Sequence, residues 1–178
     1  MEELKEKLVK YEEISDHIEY EIATFLNGVS AGEISESTSR KIKAMYKIIG
    51  ELESLGDSGE TISRILSRKN IRKKDFTPDI INNLNTMANA VNDAYDAMIA
   101  NLNAVHKGQL TDISNAYNAE DRLNNLRNDL RNAVIEDIDR NDKNYLASVY
   151  YMDIVNVYEH MGDFMINISQ DLERAFIR

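Results

Sequence analysis

Two segments of the chain place a glutamate and an aspartate four residues apart around a glycine: Glu53-x-x-Gly56-Asp57 and Glu159-x-x-Gly162-Asp163. At this spacing both acids lie on one face of a helix, where like charges repel by roughly 0.2–0.5 kcal/mol. A pair kept twice calls either for a solvated face or for a cation. Oxygen ligands of this kind suit Mg²⁺, Mn²⁺, Ca²⁺ or iron in a carboxylate-rich site. The helical phase favours the cation. With Leu52 as the centre of the apolar stripe, Glu53 lies roughly 100° and Asp57 roughly 140° away, and Glu159 and Asp163 take the same angles from Tyr158. Both pairs border the stripe, where they would look into a groove between helices.

Other acids are expected to complete such sites. Glu12, Asp16 and Glu19 lie along one side of the first helix, and Glu120 and Asp121 occupy the similar stretch of the fourth. Asp16 and Asp121 point away from the main apolar stripes, so solvent is the first expectation for both. His17, His106 and His160 are scattered and form no Glu-x-x-His pair of the di-iron type. No cysteine is present, which excludes thiolate ligands and thiol catalysis. Neither a Ser/His/Asp arrangement nor a phosphate-binding loop is visible, so no enzyme activity is expected. A carboxylate-bridged metalloenzyme stays open as the remaining catalytic reading. The net charge of −10 repels nucleic-acid backbones and argues against such partners.

The elements that must position these acids are long helices. The chain has 178 residues, a single proline and no tryptophan. Its apolar residues recur at the 3.6-residue period. Helices are expected over about 2–28, 35–67, 78–107, 111–140 and 142–176, giving an all-α protein of antiparallel neighbours. The first carries the stripe Leu4, Tyr11, Ile14, Ile18, Ile22 and Phe25 and is stopped by Gly28 and Gly32. A basic turn follows the second from Arg68 to Lys74, and Thr77-Pro78-Asp79 opens the third. No apolar run reaches the ~20 residues needed to span a bilayer, and MEELKEKLVK has no signal-peptide core. A soluble chain is expected.

Residues 53–66 and 159–172 match at six of fourteen positions at an offset of 106: Glu53, Gly56, Asp57, Ile62, Ser63 and Leu66 recur as Glu159, Gly162, Asp163, Ile168, Ser169 and Leu172. Ile14, Ile18 and Phe25 fall on Ala119, Leu123 and Leu130 at an offset of 105. A repeat of this length predicts two similar helical units, over 1–74 and 75–178. The repeated glycine lets a neighbouring helix or a ligand come close.

YEEISDHIEYEIATFLN, KIIGELESLGDSGETIS and VNVYEHMGDFMINIS resemble the PhoU family, in particular the PhoU-like domain following the membrane part of bacterial sodium–phosphate cotransporters. KKDFTPDIINNLNTM and LRNDLRNAV extend the similarity over most of the chain. The resemblance implies two three-helix units related by a pseudo-twofold axis, with metal ions (Mg, Mn, Zn or Fe) on the Glu/Asp-x-x-x-Asp motifs. It implies regulation of phosphate transport or phosphate signalling, not catalysis. By position, Glu53 and Asp57 would serve one site, and Glu159 and Asp163 the other. Ser54, Ser58, His160 and Phe164 depart from the residues usual beside that motif.

Only five helices are read where the repeat predicts six, so the first unit lacks its leading helix. The expectation is a fragment, joined in a longer polypeptide to a membrane-embedded transporter segment and lying in the cytoplasm at the inner membrane face. The competing reading is a metal-free interaction module whose open groove docks a partner or a second copy as a homodimer.

Overall fold

The computed structural model describes residues 2–140 and 145–177, with side chains described over 6–135 and 145–177. These residues form five helices: α1 (Glu2–Ser30), α2 (Glu36–Ile71), α3 (Pro78–His106), α4 (Ser114–Arg140) and α5 (Tyr145–Phe176). No strand occurs among the described residues. Local chemistry sets the starts. Ser35 Oγ accepts a hydrogen bond from the Thr38 amide at 3.1 Å, and Thr77 Oγ1 accepts from the Ile80 amide at 3.3 Å with Pro78 in the first turn. Each removes one of the amide donors that a helix start leaves unpaired.

Several boundaries differ from expectation. Gly28 does not end α1, which runs on to Ser30. The second helix continues to Ile71, so Arg68 and Lys69 form its last turn, where positive charge complements the helix dipole. Lys73 then turns the chain with φ 52°. The fourth helix begins at Ser114, whose amide donates to Asp112 Oδ1 at 3.0 Å. The expected start of the fifth helix at Asp142, and the side chain of Leu4, lie outside the described residues.

Helix α5 is the hub. It packs against α2, α3 and α4; α3 also packs against α4, whereas among the described residues α1 packs against α2 alone. Met87 and Met98 of α3, Leu123 of α4 and Tyr151, Val155, Met165 and Ile168 of α5 are almost wholly buried between these helices. Glu51 accepts from Asn167 at 3.2 Å, and Lys47 lies 3.6 Å from Asp171, so α2 and α5 run antiparallel. The Tyr46 hydroxyl donates to Ala23 O at 3.1 Å, while Gly56 faces Ser15, which makes α1 antiparallel to α2.

The first helix overturns its expected packing. Tyr11, Ile14, Ile18, Ile22 and Phe25 are exposed, Tyr11 and Phe25 to 64% and 69%. Leu8, Glu12, Ser15, Glu19, Ala23 and Leu26 instead form the shielded side of α1. The period was legible, but a helix with one neighbour buries one side only. Leu52, the expected stripe centre of α2, is likewise 37% exposed.

Gly50 shows what α2 gives up for its glycines. A Cβ there would meet nothing within 4 Å. Gly50→Ala is therefore expected to gain up to about 1 kcal/mol from helix propensity. Thermal unfolding should show this as a rise of roughly 2–4 °C.

Candidate metal centre

The two repeated glycines sit where a helix crosses closely. A Cβ on Gly56 would come within 3.1 Å of Ser15 Oγ, and one on Gly162 within 3.3 Å of the Leu123 methyls. Gly56 thus admits α1 and Gly162 admits α4. This close approach carries the acids of α1 to Glu53 and Asp57, and those of α4 to Glu159 and Asp163.

In the α1–α2 groove the charged groups that act on Glu12 and Glu53 are all acidic, and Ser54 donates to Glu53 at 3.4 Å. Glu12, Asp16 and Asp57 offer carboxylate oxygens within 4.8 Å of one another. Glu12 and Asp57 are half-buried and Asp16 is exposed. Glu53 and Glu19 continue the line. Loss of hydration raises the Glu53 carboxyl above its ordinary value, and Asp57 and then Glu19 push it further. The Glu12 carboxyl is raised by the charge of Asp16 first, and also by Asp57 and Glu60. Among the described residues no Lys or Arg salt bridge to Glu12, Asp16, Glu53 or Asp57 is found. The donors are all hard oxygens, as Mg²⁺, Mn²⁺ and Ca²⁺ prefer, and the spread of their oxygens is compatible with a shared ion of that class. Tetrahedral zinc, which favours His and Cys, fits this set less well.

The α4–α5 groove is built differently. Arg127 donates to Glu159 in a salt bridge whose side chains are 26% and 13% exposed. Asn124 donates to Glu120. His160 Nε2 lies 3.6 Å from the other Glu159 oxygen. Burial first, and then Glu159, raises the Asp163 carboxyl; His160 and Arg127 oppose this. Burial raises Glu120 too, against its bond from Asn124, and the charges of Asp121, Asp163 and Glu159 add to the shift. Asp121 itself is exposed. The same motif is therefore countered by a guanidinium in one groove and left among acids in the other.

The sequence reading named these acids except Glu60, and it missed Arg127. Glu12, Asp16 and Glu19 are spaced as Glu120, Asn124 and Arg127, so an acid–acid–acid line on α1 answers to an acid–amide–cation line on α4. That signal was available at an offset of 108, which places Ser15 on Leu123 as the glycine contacts do. Ser54, Asp57, Ser58, Thr61, His160 and Phe164 also line a shallow cleft of about 280 Å³ between α2 and α5.

The raised carboxyls have a consequence for pH. Glu12, Glu53, Glu120 and Asp163 hold protons in the folded chain more readily than in the unfolded one. Their destabilising effect is fully present above the folded pKa and disappears as pH falls below the unfolded value. Asp112, lowered by its bonds from Ser114, acts in the opposite sense. The metal-free protein should therefore gain stability as pH falls from neutral toward the ordinary carboxyl range, a trend followed by urea unfolding at each pH. A cation that needs the ionised carboxylates should reverse that slope.

Fold and site define a class: an all-helical bundle with an acidic groove between α1 and α2. No protein-family model matches the chain, and no curated protein matches it.

Proposed function

We propose that this chain is a non-enzymatic regulatory domain of PhoU type that modulates sodium-dependent phosphate transport or phosphate signalling, with one hard divalent cation held between α1 and α2. The observation carrying it is the contrast between the two grooves. Arg127 supplies the positive charge on the second motif, so the first motif, where Asp57 groups with Glu12 and Asp16 and Glu53 lies outside that group, is the one left to a cation. The expectation of two like sites thus becomes a proposal of one. Mg²⁺, Mn²⁺ and Ca²⁺ are the candidate ions. A bound ion would cancel the repulsion among these acids and hold α1 against α2, making the attachment of α1 responsive to the ion.

A two-unit architecture over 1–74 and 75–178 is part of the same proposal. It is supported by the antiparallel register of α2 and α5, in which Lys47 meets Asp171 and Glu51 meets Asn167. Continued inward, that register brings Gly56 opposite Gly162, as a pseudo-twofold axis at the motifs requires. The proposed partner is a membrane-embedded phosphate transporter segment of the same polypeptide at the cytoplasmic membrane face. No helix among the described residues is long and apolar enough to cross a membrane.

Phosphate uptake by cells producing the protein tests the reading. Asp57→Asn should change uptake several-fold relative to the unmodified protein, and Asp163→Asn should change it less. Uptake identical with either variant, with the unmodified protein and without it would contradict a regulatory role.

A further inference from the structure

We propose that α1 pairs antiparallel with the α1 of a second copy of this chain, about a twofold axis at Ile18. Tyr11, Ile14, Ile18, Ile22 and Phe25 form one stripe, each between 37% and 69% exposed, on a helix that packs only against α2 among the described residues. Together they present roughly 600 Å² of surface, the upper end of what a monomer ordinarily exposes in one apolar patch. Two copies would bury at most about 1,200 Å², the lower end of stable specific interfaces.

The spacing of the stripe identifies the occupant. Its members lie at −7, −4, 0, +4 and +7 relative to Ile18, so it reads the same in both directions. Turning a second α1 end for end about Ile18 sets Tyr11 against Phe25, Ile14 against Ile22 and Ile18 against itself. A surface that matches its own reverse is what an isologous twofold contact requires. The carboxylates of Glu12 and Glu19 lie on the shielded side of α1, so the pairing leaves the α1–α2 groove in place.

The absence of cysteine makes the test clean. Sedimentation equilibrium should give twice the 20.4 kDa chain mass, and Ile18→Glu should return it to the single-chain value. Under mild oxidation Ile18→Cys should form a covalent dimer, because facing helices at 8–10 Å bring on-axis Cα atoms within disulfide range. Tyr11→Cys alone should not, its two copies being about 21 Å apart. A mixture of Tyr11→Cys and Phe25→Cys should cross-link. Monomeric unmodified protein, a dimer that survives Ile18→Glu, or no Ile18→Cys cross-link would overturn the pairing. Should Ile18→Glu fail to fold, the cysteine series decides alone.

Discussion

Arg127→Met should destabilise the protein by about 2–3 kcal/mol at neutral pH, and Glu159→Gln in the same chain should recover most of that loss. Removing one partner of a buried ion pair costs about 3–5 kcal/mol because the other charge stays behind without compensation. Arg127 and Glu159 keep some contact with water, with side chains 26% and 13% exposed, which places the expected cost below that range. His160, at 3.6 Å from Glu159, is too exposed to replace the guanidinium. Arg127 is itself imperfectly satisfied, since its Nε finds no acceptor among the described residues. This is why the double variant should approach the parent. Urea unfolding of the four proteins forms a double-mutant cycle. A loss under about 0.5 kcal/mol for Arg127→Met would mean the pair behaves as an ordinary surface contact.

A hard divalent cation should stabilise the chain by about 2.7 kcal/mol at a hundred times its Kd, the mass-action value for a ligand of the folded state alone. Asp57→Asn should abolish the gain, because Asp57 is the α2 member of the Glu12–Asp16–Asp57 group. Asp163→Asn should keep it, because that groove already holds Arg127. Chelation should reverse the effect. Hydrogen exchange gives the local readout. Since α2 is the one helix that α1 packs against among the described residues, the α1 amides should gain the most protection on ion binding. Equal protection across all five helices would contradict an ion lodged between α1 and α2.

Much of this could be read from residue order. Five helices, the Thr77–Pro78 start and the matched phase of Glu53/Asp57 and Glu159/Asp163 all follow from local periodicity and capping. The fate of the α1 stripe does not. A 3.6-residue period shows that Tyr11, Ile18 and Phe25 share a face, but the tertiary arrangement decides whether anything covers it. The grouping of Glu12 with Asp57 depends on the register between α1 and α2, which the close approach at Gly56 fixes. Arg127 was hidden by aligning α1 with α4 on their apolar residues. The contacts to Gly56 and Gly162 shift that alignment by three positions and set Glu19 against Arg127.

Counting ions per chain tests the central claim most directly. Equilibrium dialysis of the chelator-treated protein against Mn²⁺ should give one ion per chain. It should give none for Asp57→Asn and still one for Asp163→Asn. Two ions per chain, an ion lost with Asp163→Asn but kept with Asp57→Asn, or no ion in the unmodified protein would contradict the account.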